Sequence, residues 1–115
     1  MRALLSCCLA AVAATASVGA FAACENPPVV SVPDGSTATM DQLLQAQADV
    51  KAYVASMEAY LACLNQELET AGDDAPAEFK SLMTTRYNTA VSEMEAVAQA
   101  FNDQVRAYRA ANPSE

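Results

Sequence analysis

Histidine is absent from all 115 residues. With it go imidazole acid–base chemistry and the usual zinc and copper sites. Basic residues are scarce too: six Lys and Arg stand against fourteen Asp and Glu, a formal net charge of −8. So acidic a chain repels nucleic-acid phosphates and anionic headgroups, which argues against nucleic acid as a partner. Ser, Thr and acidic side chains are plentiful, but without His or a suitably placed Lys no nucleophile–base pair forms. No catalytic residue is assigned, and an enzyme is not expected. Neither Gly nor Pro occurs between Thr39 and Ala71, so nothing there breaks a helix.

The beginning of the chain reads as an export signal. Met1-Arg2 is the positive start, Ala3 to Val18 an apolar run, and Ala20-Phe21-Ala22 a small-x-small cleavage site. From Ala3 to Ala23 the stretch is about long enough to span a bilayer, but it is rich in Ala, Ser, Thr and Cys and is weakly apolar for a permanent anchor. Cleavage after Ala22 removes 22 of the 115 residues and leaves 93, enough for one small domain. Cys7 and Cys8 leave with the signal, so Cys24 and Cys63 remain. Arg2 leaves as well, and five basic residues then face fourteen acidic ones, a charge of −9.

Residues 23–38 read as an extended arm. Three prolines and Pro33-Asp34-Gly35 exclude regular helix, and Pro27-Pro28 favours a polyproline-like path. Val29, Val30 and Val32 can lie on an apolar surface but are too few to form one. A helix is expected over 39–71. Thr39 and Gln42 have capping-box spacing, and Asp41 suits the positive end of the dipole. Met40, Leu43, Gln47, Val50, Val54, Met57, Leu61, Leu64 and Leu68 then alternate in steps of three and four, a heptad seam with one polar member. Tyr53 and Tyr60 broaden it on one side.

Gly72 to Pro76 ends this helix, with Gly72 in a left-handed conformation, Asp74 as the next cap and Pro76 in the first turn. A second helix is expected over 76–111. Its seam is Tyr87, Val91, Met94, Ala98, Phe101, Val105 and Tyr108, extended toward the turn by Phe79, Leu82 and Met83. Glu78 near its start and Arg106 and Arg109 near its end suit the dipole. Residues 113–115 are a tail. Two helices joined by a short turn become antiparallel neighbours, an all-α hairpin. A turn centred near Gly72 sets Arg86 near Glu58 and Arg106 near Asp41. The aromatic and methionine content exceeds what one seam can bury. The first expectation is that the arm packs across the groove; the second is a homodimer of two hairpins in a four-helix bundle.

Cys24 has two readings. Fifteen residues separate it from Thr39, roughly 46 Å at 3.1 Å each. Cys63 lies twenty-four residues into the helix, about 36 Å at 1.5 Å each. An arm folded back along the helix therefore reaches Cys63, which sits at the margin of the apolar stripe. The disulfide Cys24–Cys63 is the leading reading. Closing a loop of that size removes roughly 4 kcal/mol of unfolded-chain entropy. The alternative is lipid attachment at Cys24, since Ala22-Ala23-Cys24 resembles a lipobox. Phe21 stands where such motifs carry an aliphatic, and Cys63 would be left odd.

Other constellations have structural explanations. Glu67, Glu69, Asp73, Asp74 and Glu78 gather at the hairpin tip, but their spacing matches no calcium loop and no metal is assigned. The cysteine pair lacks C-x-x-C spacing and a basic neighbour, so it is structural rather than redox-active. Met40, Met57, Met83 and Met94 fall at seam spacing and read as core filler, not copper ligands. The tyrosines and Phe101 likewise read as core before a ligand groove, and no cofactor is assigned.

The run "VPDGSTATMDQLLQAQADVKAYVASMEAYLACLNQELE" resembles small, uncharacterised exported proteins of Gram-negative bacteria. In those a Pro-Gly arm precedes a helix of the form "AQ..VK.Y....E.YL.C". The resemblance covers about residues 24–69 and implies export and a helical hairpin, with no activity or site attached. The expectation is a periplasmic or secreted protein that binds an unidentified protein or serves as a structural component of the envelope. A lipoprotein spacer or adaptor is the alternative, with membrane contact only if lipidated.

Overall fold

The computed structural model describes residues 24–114. The proposed signal peptide and its cleavage site lie outside the described residues. Within them the chain is an extended arm followed by two helices, α1 (Met40–Ala71) and α2 (Ala77–Ala111), with no strand. The expected all-α antiparallel hairpin with a Pro-rich arm and a Cys24–Cys63 staple is the observed architecture.

The start of α1 is held by a complete capping box. The Gln42 N–H donates to Thr39 Oγ1 at 3.2 Å, and the Thr39 N–H donates to Gln42 Oε1 at 2.8 Å. Two amides that the helix cannot pair are thereby satisfied. At the other end the Gly72 N–H donates to the Leu68 and Glu69 carbonyls. Gly72 has φ 74° and ψ −175°, so it is not in the expected left-handed helical region. Its ψ is extended, a combination that is essentially restricted to glycine. The second cap also differs from expectation. Pro76 is the residue preceding the first helical turn, and no side chain caps α2, so Asp74 does not perform that role. Proline's fixed φ already orients the chain for entry.

The helices do not bury the stripes at the expected rotation. On α1 the covered residues are Leu43, Ala46, Val50, Tyr53, Met57, Tyr60 and Leu64. Four of the nine expected seam residues, Leu43, Val50, Met57 and Leu64, are thus buried, and Ala46, Tyr53 and Tyr60 are buried beside them. Met40 stays 47% exposed, Gln47 is exposed, and Val54, Leu61 and Leu68 are half-buried. On α2 the buried row is Met83, Ala90 and Val97, with Tyr108 at the end. From Tyr87 to Val105 the expected α2 seam is only half-buried. The arm adds to this core: Cys24, Val30 and Val32 pack against the buried cluster. Met57 and Leu64 are the most enclosed side chains, each contributing about 1.5–3 kcal/mol by burial.

The two expected interhelical ion pairs do not form. Among the described residues the ion pair is Arg106 with Asp103, one turn away on the same helix. Arg86 belongs to the heptad row of Glu93 and Ala100, which face the arm. Glu58 belongs to the row of Leu44 and Asn65, on the opposite flank. The rotation of the hairpin thus separates charges that a simple register brings together.

Candidate functional site

The chemistry-bearing residues gather where the arm meets the hairpin. Cys24 and Cys63 are joined in a disulfide with Cα atoms 5.8 Å apart, closing a loop of sequence separation 39. One turn beyond Cys63, the half-buried Glu67 accepts a hydrogen bond from the Cys24 N–H at 3.2 Å. The beginning of the arm is therefore held by a covalent bond and a charge-assisted hydrogen bond to one helix face.

From there the arm crosses onto α2. Asn26 Nδ2 donates to Glu93 Oε2 at 3.4 Å. Val29, Val30 and Val32 roof a shallow cavity of about 390 Å³ over Glu93, Ala96, Val97, Ala100 and Gln104. The turn at Pro33-Asp34-Gly35 closes the arm. Asp34 Oδ1 accepts from the Ser36 N–H at 2.9 Å and from Ser36 Oγ at 2.6 Å. These bonds, the hydroxyl's first, hold the Asp34 carboxyl below its usual 3.8. The buried Gly35 donates its N–H to Gln104 Oε1 at 2.8 Å.

Tyr53 in the core is 3% exposed, its hydroxyl without a hydrogen-bond partner. Burial pushes its phenol above the usual 10.0, and the Glu93 carboxylate adds to the effect. The opposite face of the hairpin has no arm. A groove of about 400 Å³ runs there past Met40, Leu44, Gln47, Phe101 and Val105, and a smaller one of about 210 Å³ past Leu68, Thr84 and Tyr87.

The acidic tip does not assemble into a ligand set. Glu67 turns to the Cys24 amide, and the Asp73 carbonyl accepts from Lys80 Nζ at 2.6 Å. Among the described residues, the potential ligands that converge are Cys24, Cys63 and Glu67, within 4.8 Å of one another. The two sulfurs are bonded to each other, which removes the thiolates a metal requires. Met57 and Met83 are buried core residues, whereas Met40 lies at the open groove. Gly35 and Gln104 were not marked as a site by sequence pattern; the glycine in a Pro-Asp-Gly turn was the available signal.

These features define a disulfide-stapled helical hairpin with a docked N-terminal arm. In comparison with known proteins, no family model matches the chain, and no curated protein or solved structure shows a significant match. Among the described residues no helix is long and apolar enough to cross a membrane.

Proposed function

We propose that this is an exported, non-enzymatic helical protein that acts through its surface, as a binding or structural component of the cell envelope. The observation that carries this reading is the Cys24–Cys63 disulfide directly after the apolar leader. Such bonds persist in oxidising compartments, and small exported domains use them to supplement thin cores. The stapled arm keeps the hairpin in one shape, so its faces can be displayed to a protein partner with little ordering cost on binding.

The lipoprotein alternative requires the same Cys24 sulfur that the disulfide uses, so the two are exclusive. Intact mass of the protein from its exporting host, with and without reduction and alkylation, tests the proposal. A chain beginning at Ala23 that takes up two alkyl groups only after reduction is the expected result. A chain beginning at Cys24 with added acyl mass overturns it and makes the protein a membrane-anchored spacer.

A further inference from the structure

A further heptad row lies on the face that the arm leaves open. On α1 the row Met40, Gln47, Val54, Leu61, Leu68 repeats every seven residues, and its three groove-lining members, Met40, Gln47 and Leu68, place the row on that face. On α2 the steps of four and three from Tyr87 to Val105 lie on the same face, since Tyr87, Phe101 and Val105 line its grooves. These residues have coiled-coil spacing but only half-covered side chains. Leu44, beside them, is 54% exposed.

Charge on this face selects the occupant. Along the row of Leu44 and Asn65, which line the grooves, the charges are Lys51 and Glu58, one of each sign, although the whole chain carries −8. Basic partners are drawn to the acidic remainder of the surface, whereas a neutral apolar face suits a like copy. Lys51 and Glu58 share a row with Leu44 and Asn65, which line the grooves, and stand seven residues apart astride Val54. In an antiparallel contact with a two-fold axis near Val54, Lys51 faces Glu58 of the second copy and Glu58 faces its Lys51. The same operation sets Met40 against the second copy's Leu68 and Gln47 against its Leu61. One surface thus satisfies itself twice, as an isologous interface requires.

We propose that two copies of this chain associate through the face opposite the arm, α1 antiparallel to α1 about Val54, to form a four-helix bundle. The proposal names a partner for the surface role above, but it is tested on purified oxidised protein and so fails or stands separately from the location.

The test is sedimentation equilibrium over a dilution series reaching about 1 mM chain. The oxidised protein is expected to be a concentration-dependent dimer. Lys51→Glu introduces two symmetric repulsions and should weaken the dimer roughly tenfold. Glu58→Lys should do the same, and an equimolar mixture of the two variants should restore dimerisation. Val54→Asp should give a monomer whose helix content and disulfide are retained. A monomer at every concentration overturns the proposal, as does open-ended assembly. A dimer indifferent to charge reversal at Lys51 and Glu58 overturns the antiparallel pairing about Val54.

Discussion

Gly35 rests against the backbone of Gln104 so closely that a Cβ on the glycine would overlap the Gln104 carbonyl oxygen and stand 2.7 Å from its carbonyl carbon. The turn of the arm is thereby seated directly on α2, and the Gly35 N–H to Gln104 Oε1 bond depends on that approach. Gly35→Ala should lift the turn away and cost about 1–3 kcal/mol. Thermal unfolding measures the loss, and faster amide exchange at Gly35 would locate it. A melting temperature equal to that of the native chain would show that the turn is not closely seated.

Gly72 is constrained by a different cause. Nothing lies within 4 Å of a Cβ added there, yet its φ of 74° is one that side-chain-bearing residues rarely adopt. Gly72→Ala should cost about 1–3 kcal/mol through backbone strain alone. Because the site has open space, the loss should be similar for Ala and Ser. Chemical denaturation of both variants checks this, and a much larger loss for Ser would point to crowding instead.

Cys63→Ser should lower stability by roughly 4 kcal/mol while the helices persist at room temperature. Cys24→Ser should match it, and the double variant should be no worse than either single one. Reduction of the native chain should reproduce the same loss. An unchanged melting temperature under oxidising conditions would rule out the staple as a stabilising element.

The buried Tyr53 hydroxyl has no partner, so Tyr53→Phe should be neutral or should gain up to about 1 kcal/mol. Its folded phenol is raised above 10.0, mainly by burial. The neutral form is therefore favoured in the folded state, and that contribution is complete below pH 10 and is lost as pH rises through the folded value. Stability in alkali should fall less steeply for Tyr53→Phe than for the native chain. Absorbance titration of the tyrosines, followed beside helix content, reads this directly.

Asp34 behaves in the opposite sense. Its folded pKa lies below 3.8 because the Ser36 hydroxyl and N–H stabilise the carboxylate. The turn's contribution is present above 3.8 and is lost as pH falls through the folded value. Carboxyl titration followed by NMR should show Asp34 returning toward 3.8 in Ser36→Ala, where the larger of the two bonds is gone. No return would remove the hydroxyl as the cause.

Local features were legible because their causes are local. The Thr39–Gln42 capping box, the break at Gly72 and the end of α2 before Pro113 each depend on residues a few positions apart. The span argument for Cys24 and Cys63 was equally accessible, since chain dimensions limit what an arm of that length can reach. Rotation about the helix axes was not legible. The expected α2 seam at Tyr87, Val91, Met94, Ala98, Phe101 and Val105 is a better heptad than Met83, Ala90 and Val97, yet the latter row is buried.

The sequence by itself determined the two helices, their ends, the irregular arm and the feasibility of one disulfide, because propensity, capping and contour length act along the chain. The tertiary structure decided which stripe of each helix is covered. A hairpin with apolar residues around much of its circumference has several rotations of similar burial, and only the packed molecule, with the arm against the core, shows which one is taken. That choice keeps Arg86 from Glu58, brings Glu67 to the Cys24 amide and leaves the Val54 face open.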